Sequence, residues 1–246
     1  MKISKKIKDL NILVLQFRTG AMKAHEQQCL LRVSGFDREQ CVFFDCVKQE
    51  PKIEMLKDYD FLLIGGSGDI TIGEEEIPVL NIVYQIVRQA RAMSLPTIGI
   101  CFGAHILTKA FGGELSYDKE GMETGTFQIT LTDESQEDPV FSKLAKQFDA
   151  QLGHKDFISR LPSGAVCLAT SELSGVQAWA FPNEPLYAIQ FHPELEAKDV
   201  VTRLNFYAKQ YLDDNLETYE KIKKDLRPSP EAVKVIKYYL KHFIGA

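Results

Sequence analysis

The sequence predicts an α/β fold: a mostly parallel, doubly wound sheet flanked by helices, with additional antiparallel strands in the second half of the chain. Three observations carry this reading. Four short apolar runs in the first hundred residues each end in polar or glycine-rich turn residues, as strands buried on both faces do. Helical stretches separate them, so the connections are right-handed crossovers and the strands are parallel. After residue 113 the pattern changes to short runs joined by turns rich in Pro, Gly, Ser and Asn.

The first strand is "NILVLQF" (11–17), followed by the helix "AHEQQCLLRVSG" with its glycine stop. "QCVFFDC" (40–46) and "DFLLIGG" (60–66) are the next two strands. The helix "IPVLNIVYQIVRQARAMS" has Pro78 near its start and Leu80, Val83, Ile86 and Val87 on its apolar face. "PTIGIC" (96–101) is the fourth strand, and "FGAHILTKAFGG" is a helix ending at Gly112 and Gly113. "TFQITLT", "GAVCLATS", "GVQAWAF" and "PLYAIQF" are expected as antiparallel strands added to the same domain. Helix returns at about residue 196. The last helix, in "RPSPEAVKVIKYYLKHF", has Ser229 as its cap, Pro230 in its first turn, and Val233, Ile236, Leu240 and Phe243 on one packing face.

Length and composition set bounds. A chain of 246 residues fits one α/β domain, expected to span 1–246, with a core at about 10–210 and a C-terminal helical extension at 211–246. A net charge of −5 argues against nucleic-acid or membrane-surface partners bound by bulk electrostatics, and favours a small-molecule substrate. The N-terminal "MKISKKIKDLN" lacks the apolar core of a signal peptide, and no apolar run is long enough to span a bilayer. A cytoplasmic location is expected. The five cysteines at 29, 41, 46, 101 and 167 form neither a disulfide framework nor a paired zinc spacing, so reduced thiols are expected.

In "GICFG" a strand delivers Cys101 to a sharp turn before a helix, the layout of a nucleophile elbow. Gly99 and Gly103 give room for the bend. The helix N-terminus favours thiolate and so predicts a lowered Cys101 pKa. Buried inert packing is the competing reading for any free cysteine, and it suits the other four.

A base for the thiol lies in "PLYAIQFHPEL". Pro193 biases His192 toward extended backbone, where residues two apart project to the same side, so Glu194 can reach the His192 ring. A carboxylate there fixes the tautomer and supports the imidazolium. An exposed His–Glu pair or a pair of metal ligands are the alternatives. The metal reading lacks a further cluster, since His25, His105, His154 and His242 are dispersed in the sequence. In "LLIGGSGDI", Gly65 and Gly66 follow an apolar strand, and the N–H groups of Gly66 and Phe102 are candidate oxyanion donors; a simple tight turn is the alternative. Both phosphate-loop patterns are absent.

With these pieces in chain order, the sequence resembles the class I glutamine amidotransferase family, in particular stand-alone proteins similar to the amidotransferase domain of GMP synthase. The stretches carrying the resemblance are "LLIGGSGD", "GICFGAHILTKAFGGEL", "METGTFQITLT", "GHKDFISRLPSGAVCLATS" and "GVQAWAFPNEPLYAIQFHPEL". It implies a flavodoxin-like fold, with Cys101 as nucleophile, His192 as base, Glu194 as its orienting carboxylate, and Gly66 and Phe102 as oxyanion donors. The implied chemistry is thiolate attack on a side-chain amide, loss of ammonia or an amine, and hydrolysis of a γ-glutamyl thioester, with no metal or organic cofactor.

Gly65, His105 and His154 are candidate substrate contacts. Many family members read G-H-Q after the nucleophile, whereas this chain has Gly103, Ala104 and His105; Leu152 and Gly153 stand where a serine often precedes the histidine of the H-x-D element His154–Asp156. Three functions remain open. One is a hydrolase of glutamine or a γ-glutamyl amide that passes ammonia to a separate synthetase or releases it. The second is a γ-glutamyl peptidase acting on substituted amides, and the third is a catalytically idle regulatory or binding module. A DJ-1-like cysteine protein usually has histidine directly after the nucleophile, where this chain has Phe102.

Overall fold

The computed structural model describes residues 5–68, 77–117, 122–212 and 215–245. Asp69 and Ile70, which end the glycine-rich stretch noted above, lie outside the described residues.

Four strands open the chain: β1 (Ile12–Gln16), β2 (Cys41–Asp45), β3 (Phe61–Ile64) and β4 (Thr97–Ile100). β1, β3 and β4 are buried throughout, whereas β2 lies at the sheet edge with Val42 exposed and Phe43 and Phe44 half-buried, which corrects the expectation of burial on both faces for that run. Helix α1 (Gly20–Ser34) joins β1 to β2, and α2 (Val79–Ala92) joins β3 to β4. Gly35 closes α1 at φ +73°, its N–H donating to Leu31 O, which is the left-handed stop that glycine adopts without a Cβ penalty. After β4 the chain forms α3 (Phe102–Ala110), β5 (Glu114–Tyr117), β6 (Glu123–Leu131), β7 (Gln147–His154), β8 (Asp156–Arg160), β9 (Val166–Thr170), β10 (Ala178–Ala180) and β11 (Leu186–Ile189). Three helices follow: α4 (Ala197–Leu212), α5 (Leu216–Asp225) and α6 (Pro230–Phe243).

Among the described residues the main sheet has nine strands in the order β2-β1-β3-β4-β11-β10-β9-β6-β7, and β5 pairs with β8 in a separate ribbon. Pairing is parallel from β2 to β11 and antiparallel from β11 to β7. β11 therefore corrects the expectation of a purely antiparallel addition. It runs parallel to β4, because the chain returns across the sheet and inserts it as the seam between the two halves.

Alternation along each strand feeds two cores. Ile12 and Val14 of β1, Phe61 and Leu63 of β3, and Tyr187 and Ile189 of β11 pack on one face with α6; Leu13, Leu15, Leu62, Ile64, Leu186 and Ala188 pack on the other with α2 and α3. This two-sided burial explains why the runs are apolar without interruption. Helix α6 buries Ala232, Val235, Ile236, Tyr239 and Leu240, a face rotated from the one expected, and Val233 and Phe243 are only half-buried. Ser229 makes no side-chain cap. Its hydroxyl instead donates to Leu195 O (3.3 Å) and accepts from Gln151 Nε2 (3.2 Å), tying the helix start to β7 and to the segment after β11. Among the described residues no helix is long and apolar enough to cross a membrane.

Candidate active site

The carboxyl ends of β1, β3, β4 and β11 point to one edge of the sheet, where open α/β folds place their ligands. Cys101 follows β4 and is the N-cap of α3, with φ +52° and ψ −102°. That backbone is unfavourable for an L residue, and strain of this kind concentrates at functional turns. Close approach explains the flanking glycines: a Cβ on Gly103 would overlap Ile64 O, and one on Gly99 would meet Gly103 O. Parallel pairing places Ile100 opposite Ile189, and the Cys101 N–H donates to Ile189 O at 2.8 Å. The segment leaving β11 therefore runs past the cysteine, bringing Gln190 and His192 to the same corner.

His192 Nδ1 is 2.8 Å from Glu194 Oε1, with both side chains buried, so the two-residue spacing delivers the pair that the sequence suggests. With Nδ1 donating to the carboxylate, Nε2 is left as the acceptor. Arg203 of α4 adds a third member, its Nη2 donating to Glu194 Oε1 at 3.1 Å and its Nη1 lying 3.3 Å from His192 Nδ1. Burial pushes the His192 pKa down, against the pull of Glu194, and the Arg203 charge adds to the lowering. Burial would raise Glu194, but the His192 contact and Arg203 hold it down to about 2.

Cys101 Sγ lies 3.9 Å from Gly153 O and 3.9 Å from Gln190 Nε2, and among the described residues no hydrogen bond joins it to His192. Burial pushes the thiol up to about 12, while Arg18, Arg203 and the Phe102 N–H pull it down. This corrects the expected lowering of the thiol. At this buried position desolvation outweighs the helix N-terminus, and Cys29, Cys41, Cys46 and Cys167 are raised by burial as well.

The glycine loop departs from expectation too. Gly65 N–H donates to Leu15 O and Gly66 N–H to Glu26 Oε1, each at 3.0 Å, so neither faces an open site. Glu26 is buried on α1 and also accepts from Arg18 Nε (3.0 Å) and Gln16 Nε2 (3.0 Å). His105 is 3 % exposed and bonds Gln190 Oε1 at 2.6 Å, which turns its ring away from the position expected for a substrate contact. His154 is likewise interior, with Nδ1 2.9 Å from Asp156 O and Nε2 3.1 Å from Glu123 Oε2. Within the H-x-D element, His154 Nδ1 thus meets the Asp156 backbone carbonyl.

A cavity of about 40 Å³ lies beside this corner, lined by Arg18, Gly153, His192, Arg203 and Tyr207 among others. A groove of about 640 Å³ between β6 and α5 shares Thr124 with it and carries Lys221, Lys224 and Arg227. Sequence reading missed Arg18, Glu26, Gln190 and Arg203. Only Gln190 carried a local signal, as a polar residue inside an apolar run. Among the described residues one cluster with metal-ligand chemistry is assembled, His25 and Cys29 of α1 with Asp199 of α4. Asp199 is already ion-paired with Arg32, which accounts for the cluster without a cation.

A family model described as glutamine amidotransferase class-I matches residues 37–207. A protein of Sulfurisphaera tokodaii, named as one of the subunits of a glutamine-hydrolyzing GMP synthase, is 32% identical over 150 residues, covering 61% of this chain and 75% of that protein. The glutamine-hydrolyzing GMP synthase of Mesoplasma florum is 27% identical over 233 residues, 93% of this chain and 42% of its own length. A crystal structure of a glutamine amidotransferase from Thermotoga maritima superposes with a TM-score of 0.73 at 19% identity, covering 96% of this chain and 99% of that one. One from Methylobacillus flagellatus gives 0.69 at 19% identity and covers 94% of each chain. The fold is thus that of solved glutamine amidotransferases, and the chain belongs to the class I glutamine amidotransferase family.

Proposed function

We propose that the protein is a cysteine-dependent amidohydrolase or amidotransferase acting on the side-chain amide of glutamine or a γ-glutamyl compound. Cys101 is the nucleophile, His192 the base and Glu194 its orienting carboxylate. The thiol proton passes to His192 Nε2 as the Sγ–C bond forms. The imidazolium then returns that proton to the leaving nitrogen as the C–N bond breaks, and water hydrolyses the γ-glutamyl thioester to the free acid. Phe102 N–H is the first oxyanion donor; Gly66 N–H joins it only if the Glu26 carboxylate moves away. The observation that supports this reading is the pairing of β4 with β11, with Cys101 at a positive-φ turn after one strand, Gln190 Nε2 3.9 Å from its Sγ after the other, and the buried His192–Glu194 pair two residues further on.

The S. tokodaii relative is one of the separate chains of a GMP synthase. By analogy, a separate synthetase chain accepts the ammonia here. A second reading, a γ-glutamyl peptidase, is favoured by the groove of about 640 Å³ that adjoins the cavity, since it offers room for a larger leaving amine. Release of ammonia from glutamine, compared with release of free amine from γ-glutamyl dipeptides, separates the two readings. Cys101→Ala and His192→Ala should abolish turnover on either substrate, with Glu194→Gln leaving a reduced rate. Wild-type turnover in Cys101→Ala would rule out the covalent route.

A further inference from the structure

His105 and Gln190 form a buried polar pair directly behind Cys101. Gln190 is 0% exposed and is anchored by its N–H to Gln177 O at 2.8 Å. His105 sits one turn into α3, its N–H donating to Cys101 O at 3.1 Å. Its Nε2 is 2.6 Å from Gln190 Oε1, and Gln190 Nε2 is 3.9 Å from Cys101 Sγ. A carboxamide has a donor end and an acceptor end, and the imidazole decides which one meets the sulfur. Burial, with His154 nearby, drives the His105 pKa down to about 3, so the ring is neutral at physiological pH and carries one N–H. With that proton on Nε2 the ring donates to Gln190 Oε1, which turns the amide NH₂ toward Sγ.

We infer that Gln190 is a hydrogen-bond donor to the Cys101 thiolate, and that His105 is the positioning residue that fixes the orientation of its amide. The inference rests on reading Cys101 as the nucleophile. When the thiol proton moves to His192, the negative charge is left on a sulfur with little access to water, and burial opposes it. The Phe102 N–H supports that charge from the backbone, and Gln190 supplies a side-chain donor from the end of the neighbouring strand β11. The contact is weak to a neutral thiol and tightens once the sulfur is charged, so it favours the reactive form selectively.

The test is the rate of Cys101 alkylation by iodoacetamide at pH 8 in the full chain, read by peptide mass spectrometry. Gln190→Met, close in shape but without the donor, should slow it by about tenfold to hundredfold, the value of one hydrogen bond to a charged group. His105→Phe should slow it less, and His105→Gln, which can still hold the amide oxygen, should restore it. An unchanged rate in folded Gln190→Met overturns the inference. If that variant fails to fold, His105→Phe carries the test, and alkylation at the wild-type rate there overturns the inference equally. Turnover by Cys101→Ala is a separate measurement: retained activity there would remove the proposed function and leave the alkylation result standing.

Discussion

Arg203 acts on two groups at once, favouring the Glu194 carboxylate to which it donates at 3.1 Å and the neutral form of the His192 ring against which its charge lies. The same charge lowers the His192 pKa, so the base should stay neutral below the ordinary histidine range and the acid limb of kcat/KM should fall below pH ~6.5. Replacing the guanidinium in Arg203→Met removes that lowering, and the acid limb should move to higher pH; a limb that stays put or moves down would show that Arg203 does not tune the base. Glu194 carries a second pH signature. Its folded value of about 2 lies below an unfolded value of roughly 4.3, so it contributes stability that is fully present above the unfolded value and is lost as pH falls through the folded one. His105, depressed to about 3, acts in the same direction, because the unfolded chain takes up protons below pH ~6.5 before the folded one does. Urea midpoints measured from pH 7 downward should therefore fall steadily in wild type, and Glu194→Gln should flatten the part below about pH 4.5. An identical slope in that variant would mean that Glu194 is not held ionised in the fold.

At the scale of elements, the approach of α3 to the sheet decides whether the turn at Cys101 can exist. The helix lies so close to β3 that any Cβ on Gly103 would overlap a backbone carbonyl, which cannot swing aside as a flexible side chain could. Gly103→Ala should thus lose about 2–4 kcal/mol and lower the melting temperature, whereas Gly112→Ala, with nothing within 4 Å but φ +85°, should cost about 1 kcal/mol. Comparable losses at both positions would contradict this account of the packing. The elements that sequence made legible are those whose physics is local. β1, β3 and β4 are apolar runs because both their faces are covered, and the Cys101 turn and the His192–Glu194 spacing are written in adjacent residues. β7 has no continuous apolar run to mark it, since Asp149 and Gln151 alternate with Phe148, Ala150 and Leu152, which face the core. The two polar residues serve contacts made from far along the chain: Asp149 pairs with Arg227, and Gln151 donates to Arg227 O and Ser229. The parallel direction of β11, the diversion of His105 to Gln190 and the capture of Gly66 N–H by Glu26 are likewise set by partners remote in sequence.

For the whole molecule, the least anticipated feature is how much of the core the C-terminal helix completes. The sequence suggests an extension, yet α6 covers the face of the sheet formed by β1, β3 and β11. Tyr239 is its centre: fully buried, it donates to Pro185 O at 2.7 Å and packs its ring against Phe61, Tyr187 and Phe243. Pro185 precedes β11, and Pro185 O also accepts the Thr97 N–H at 2.8 Å, so the tyrosine grips the start of the β4–β11 seam whose far end carries Cys101 and His192. Five buried side chains on α6, at about 1–3 kcal/mol each, amount to roughly the whole net stability of a typical domain. Ending the chain after residue 227 should therefore expose the sheet face and give a protein that binds hydrophobic dye and aggregates, instead of a trimmed active core. Tyr239→Phe removes only the hydroxyl and should cost about 1 kcal/mol, while Tyr239→Ala should cost about 3–5 kcal/mol and lower turnover through loosening of the seam. Denaturant titrations of the two variants, read beside kcat, check this directly. A truncated chain that stays monomeric, melts cooperatively and turns over substrate at the wild-type rate would establish α6 as an appendage and the remaining sheet as sufficient for the site.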